Sequence, residues 1–349
     1  MTRTGAANPV AVVAAARKRR DRVELRACLG LVVAVVLVFC LALSTGTFTV
    51  SAQDLFLSLT GQGVPRVDHV VLGLRLPRAL VGLLVGLAFG VSGAVFQRLL
   101  RNPLASPDVI GITVGAGTAA VLAGVVFGAS AAVLSFSALG GALGTALLVY
   151  LLARHGGAPA YRLVLVGIGV GAVLGSITSF VLITADVRAA QEALVWLTGS
   201  LNGRDYTHVW PLLVAVAVLV PAALVLGRSM AALQLGDDLA TGLGVPAQRR
   251  RVALLGVAVC LAGVATAAAG PVAFVAFVSG PIAARLTGGG RPALLAAGLV
   301  GALVVLVADY AGSHLPFGLS FPVGVVTAIV GGPYLLWLLA AGNRSGGNR

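Results

Sequence analysis

Residues 109–153 read VIGITVGAGTAAVLAGVVFGASAAVLSFSALGGALGTALLVYLLA, without one Asp, Glu, Lys, Arg or His. An α-helix rises 1.5 Å per residue, so about 20 apolar residues cross the ~30 Å of bilayer hydrocarbon. The stretch therefore holds two membrane spans back to back. Gly128-Ala129-Ser130 is the only cluster of turn formers near its middle, and it marks the hinge.

The rest of the chain fits the same solvent. Of 349 residues, 58% are hydrophobic and only 10% are charged, with a mean hydropathy of +1.02. A soluble domain keeps roughly a quarter of its residues charged. This chain cannot cover a water-facing surface, so lipid must surround it. Forty-seven glycines agree, because small residues let membrane helices approach closely. Cys28, Cys40 and Cys260 lie in apolar runs without metal-ligand spacing and read as small buried side chains. The net charge of +13 does not indicate nucleic acid, since the cations sit in short loops with no basic face or aromatic platform.

Charge-free intervals give ten spans. The first runs from 27 to 53, too long for a signal-peptide h-region. The second covers 78–97 and two more share 109–153. The fifth occupies 163–185, the sixth about 207–227 and the seventh about 252–269. The eighth is short and irregular to about 287, broken by Gly270-Pro271 and Gly280-Pro281. The ninth is about 292–311 and the tenth about 322–341. With both termini cytoplasmic, 19 of the 24 cations fall inside and only Arg66, Arg75, Arg78, Arg188 and Arg204 outside. That is the bias expected of positive-inside topology. The organisation is a basic cytoplasmic segment (1–26), one ten-helix domain (27–341) and a cytoplasmic tail (342–349). The fold class is all-α, polytopic.

The spans carry almost no ionisable groups, which usually mark proton relays or ion-coupling sites. Asp309, near the outer end of the ninth span, is the exception, and a structural role at a helix end fits it better than transport. A phosphate-binding Gly-Lys-Ser/Thr loop is excluded, because the only lysine, Lys18, follows Arg17. The chain shows no energy source, no catalytic residues, no cofactor and no metal site. An autonomous secondary transporter is the competing class, and the lack of intramembrane charge disfavours it.

Four stretches, in order, resemble the FecCD-type permease family, whose members import ferric siderophores, haem or cobalamin. They are RLPR at 75–78, GAVFQRLLRNPLASPDVIGITVGAG at 93–117, WLTGSLNGR at 196–204, and LGDDLATGLGV at 235–245 together with FPVGVVTAIVGGPYLLWLL at 321–339. The resemblance implies a permease subunit of an ATP-binding-cassette importer in the inner membrane. Its implied partners are a second permease chain, identical or paralogous, two cytoplasmic ATPases and an external substrate-binding protein. WLTGSLNGR is worded more like ferric-siderophore members than cobalamin members, which makes a ferric siderophore the expected substrate and a haem or cobalamin permease the alternative.

The same resemblance implies roles for particular residues. Arg75 and Arg78 match arginines that meet carboxylates of the binding protein. Asn102 and Leu104 match a cytoplasmic gate. Leu235, Asp237, Asp238, Leu239, Leu243 and Gly244 match a loop that enters a cleft on the ATPase, and leucines every four residues around an acidic pair read as a short amphipathic helix. Where some relatives carry a third docking arginine this chain has Ser313, beside His314. Gly280-Pro281-Ile282-Ala283-Ala284-Arg285 lacks the family's histidine, and Ser320-Phe321 stands where the family has Glu before Leu-Pro-Val-Gly.

Overall fold

A computed structural model describes residues 9–46, 48–154, 160–288, 293–315 and 320–346, and these fold as helices with no strand among them. Arg3, Arg291, Arg349 and the final three residues of the predicted tail lie outside the described residues. So does the side chain of Arg344.

Helix α1 (Pro9–Ser44) is continuous, so residues 9–26 of the basic segment form its opening turns. It stops nine residues before the predicted end of the first span. Ser51 then caps a separate short helix, α2 (Ala52–Leu59), by accepting the Asp54 amide at 3.1 Å. Helix α3 (Pro65–Asp68) passes through a π-helical stretch, His69–Arg75, into α4 (Leu76–Leu99). The second span is thus far longer than predicted, and RLPR sits inside it at the π-to-α junction rather than opening it.

The 109–153 stretch folds as read. Helix α5 (Ile112–Val121) ends in a π turn, Leu122–Val126, and α6 (Ala131–Ala153) follows the break at 127–130. Then come α7 (Ala160–Thr184), α8 (Val187–Leu197) on the outer side, and α9 (Tyr206–Gly227). The inner loop folds into α10 (Met230–Leu233) and α11 (Asp237–Gly242). The last four are α12 (Ala247–Ala269), α13 (Val275–Leu286), α14 (Leu294–Ser313) and α15 (Val323–Gly346). Among the described residues seven helices are long and apolar enough to cross a membrane. Three shorter apolar ones, Ile112–Val126, Val275–Leu286 and Val323–Leu338, occupy the predicted third, eighth and tenth spans.

Helix α4 is the axis of the bundle, with Val81, Val85 and Phe89 fully buried. It packs backbone to backbone on α14. A Cβ on Gly86 would sit 2.4 Å from the Gly301 carbonyl, and one on Gly90 2.2 Å from that of Ala297. Only small residues permit such contact, and close packing is what holds helices together where lipid removes the hydrophobic drive. Peripheral α7 turns Val173, Phe180 and Ile183 outward, the last 82% exposed, as a lipid-facing surface requires.

Side-chain contacts gather the helix ends into two sets. The Arg78–Asp309 and Tyr206–Leu72 contacts join positions assigned outside. Arg101–Leu233 and Asp237–Arg251 join positions assigned inside.

Candidate functional site: a cleft between an outer rim and an inner loop

At the outer rim, Arg78 grips Asp309 with two bonds, Nε to Oδ2 at 2.9 Å and Nη2 to Oδ1 at 2.8 Å. The same Nη2 donates to Ser313 Oγ at 2.8 Å. Ser313 thereby joins the cluster from the next turn of α14. Arg75 turns towards α1, donating to the carbonyls of Leu43 and Phe48 and closing the chain reversal after that helix. Both arginines are half-buried and line one cleft of about 330 Å³ with Asp309 and His314. The sequence placed Arg75, Arg78 and Asp309 on one side; that Arg78 and Asp309 pair was not legible, since 231 residues separate them.

A second outer cluster escaped the sequence reading. His208 Nδ1 lies 2.8 Å from Asp205 Oδ1 and its Nε2 lies 3.0 Å from Arg204 Nη1. Bonds from the Thr207 hydroxyl and from His208 hold the Asp205 carboxyl down at about 2. The cluster fixes the corner between WLTGSLNGR and α9, and its only sequence signal is the run of polar residues at 202–208.

The WLTGSLNGR segment packs on the broken seventh-to-eighth connection. Ser200 donates to the Ala269 carbonyl at 2.8 Å and Gly324 to that of Gly199 at 3.1 Å. Gly199 (φ +71°) and Gly270 (φ +76°) lie against the backbones of Pro271 and Trp196, and a Cβ on either would come within 2.5 Å of a carbonyl oxygen. These contacts form the outer end of a cleft of about 630 Å³. Its wall descends past Phe274 and Phe277 and along α15 from Gly324 to Leu335. It ends at the inner turn, at Ser106 and Asp108. Phe274 holds φ +65°, and its ring fits against Gly331 of α15. The cleft therefore extends from the outer turn to the inner turn along one flank of the bundle.

Asn102 and Leu104 lie in that inner turn. The Asn102 side-chain oxygen accepts the Leu104 amide at 2.9 Å, closing a tight turn around Pro103. Arg101, at φ +49°, donates to the Leu233 carbonyl at 3.1 Å. The turn is thus bonded to α10, the anchored end of the inner loop.

In that loop Met230, Leu233 and Ala240 are buried, while Leu235, Leu239 and Leu243 are 59%, 61% and 65% exposed. Leu235 precedes α11 rather than lying within it. Gly236 (φ +112°) starts the helix and Gly244 (φ +80°) follows it, both in backbone that other residues rarely adopt. Asp237 pairs with Arg251 through two bonds, at 2.7 and 3.1 Å, so it holds the loop to α12; Asp238 is exposed. The leucines form an apolar stripe that none of the described residues covers.

The FecCD transport family model matches residues 34–341. The chain belongs to the FecCD transport family. Its membership makes it a transport protein and not an enzyme. It is 42% identical to the ferric enterobactin transport system permease protein FepG of Escherichia coli (strain K12), across 91% of this chain and 96% of that one. It is 39% identical to the achromobactin transport system permease protein CbrC of Dickeya dadantii (strain 3937), across 87% and 88%. With the iron(3+)-hydroxamate import system permease protein FhuG of Bacillus subtilis (strain 168) it shares 36% over 88% and 95%. A solved metal-chelate type ABC transporter in an inward-facing conformation superposes with a TM-score of 0.80 at 26% identity, covering 90% of this chain and 98% of that one. The FecCD fold thus spans nearly the whole chain, and the four motifs fall on its rim, its cleft and its inner loop.

Proposed function

We propose that this chain is the permease subunit of an ATP-binding-cassette importer that carries ferric siderophores across the inner membrane. The observation that supports it most directly is the cleft from Thr198 and Gly324 at the outer side to Ser106 and Asp108 at the inner side, in a chain whose FecCD relatives are iron-chelate permeases. In this reading the cleft is one wall of the transport path, and a second permease chain supplies the other. The Arg78–Asp309–Ser313 cluster and Arg75 form the rim that meets an external binding protein. The exposed stripe of Leu235, Leu239 and Leu243 enters a cleft on one of two cytoplasmic ATPases. The Asn102–Leu104 turn gates the inner mouth, and the Arg101–Leu233 bond links that gate to the ATPase contact.

Reconstitution of the permease pair with its ATPase and binding protein tests the proposal. Uptake of an iron-55-loaded siderophore should require ATP and all components. Accumulation by the permease alone under a proton gradient would replace this reading with that of a secondary transporter.

A further inference from the structure

We infer that Asp108 is the charge filter of the transport path, favouring ferric chelates that are neutral or carry an ammonium group and disfavouring polyanionic ones. The inference rests on the importer reading above. The relatives differ in the chelate their names specify, enterobactin, achromobactin or a hydroxamate, so the fold does not choose the cargo.

Asp108 stands at the inner end of the 630 Å³ cleft and is the only ionisable group among the described residues lining it. The other polar groups on the wall are the hydroxyls of Ser106, Thr113 and Thr198. Thr113 hydrogen-bonds the carboxylate, which orients the charge without neutralising it. Capping does not account for the side chain: α5 starts behind Gly111 with no side-chain cap, and the contact from Gly111 goes to the Asp108 backbone carbonyl, at 3.1 Å. A single charge in a groove with apolar walls is poorly screened and its field is focused along the groove. A cargo passing along the wall meets that field at close range, where juxtaposed like charges are strongly disfavoured.

The test uses two cargoes built on one chelate with opposite terminal charges: a linear ferric trihydroxamate with a terminal ammonium, and the same chelate succinylated to end in a carboxylate. Initial uptake by the complete importer is measured for each and normalised to the binding protein's affinity. The ammonium form should be favoured by about tenfold in the wild type, and Asp108→Asn should bring the ratio to within about twofold. Asp108→Glu should restore the preference. If Asp108→Asn does not reach the membrane, Asp108→Ser carries the same comparison. A preference unchanged by loss of the carboxylate overturns the filter alone. Absence of ATP-dependent uptake of either chelate by the wild type counts against the ferric-chelate reading, and the filter falls with it.

Discussion

The Tyr206 hydroxyl donates to the Leu72 carbonyl at 3.0 Å, across 134 residues of sequence, and Pro77 explains why that acceptor is available. In a π-helix each amide reaches back five residues. Leu76 bonds the Val71 carbonyl in this way. The next amide, which would serve Leu72, belongs to proline and carries no hydrogen. The proline of RLPR and the tyrosine after WLTGSLNGR are therefore two halves of one contact that joins the outer ends of α4 and α9.

Tyr206→Phe should lower thermal stability in detergent by about 0.5–1.5 kcal/mol, the usual net worth of one hydrogen bond. In a Pro77→Ala background the amide returns and the helix satisfies Leu72 itself, so the same substitution should cost almost nothing. Equal losses in both backgrounds would dissociate the tyrosine from the proline.

The inner loop gives a second expectation. Leu239 is 61% exposed in this chain, so Leu239→Ala should leave permease folding unchanged. Against an ATPase cleft it becomes a packed leucine, for which truncation costs about 2–5 kcal/mol, and co-purification of the ATPase should drop sharply. Asp238→Asn should weaken association less, in a salt-sensitive manner. Asp237 is unsuitable for this comparison, because its loss also releases Arg251. Full ATPase recovery with Leu239→Ala would place the main contact elsewhere, at the 101–107 turn.

Burial pushes the Asp108 carboxyl up to about 6, with the Thr113 hydrogen bond acting in the opposite direction. A raised carboxyl pKa means the folded protein holds this proton more tightly than the unfolded chain does. Its contribution to stability is full below the ordinary aspartate range and is lost as pH rises through about 6. The charge itself follows the reverse course, absent at pH 5 and present at 7.5. Among the described residues, none of the elements lining the cleft, from the 106–114 turn through α8 and residues 271–277 to α15, brings another titratable side chain to it. Discrimination between the ammonium and carboxylate chelates should therefore be strong at pH 7.5 on the inner side and fade through pH 6. A ratio flat across that range would assign it to a group other than Asp108.

The sequence alone determined the solvent, the helical class and nearly every span, because one physical constraint governs them all. Twenty residues without charge are needed to cross lipid, and backbone groups there must pair within their own helix. That is why α9 and the end of α12 fell where charge and Gly270 placed them, and why 127–130 is a turn. Only the tertiary structure decided the partnerships. Arg78 with Asp309, Tyr206 with Leu72 and Arg101 with Leu233 join residues more than a hundred positions apart, and no periodicity encodes which distant group a helix end will meet. The π stretch before RLPR was hidden because it has the same apolar composition as the α-helix it extends. Asp108 carried no signal of its own in the sequence, since burial belongs to the assembled wall and not to the dipeptide Pro107-Asp108. The end of α1 at Ser44 was missed because the charge-free run continues to Gln53, while Ser51 starts α2 by capping geometry that hydropathy does not register.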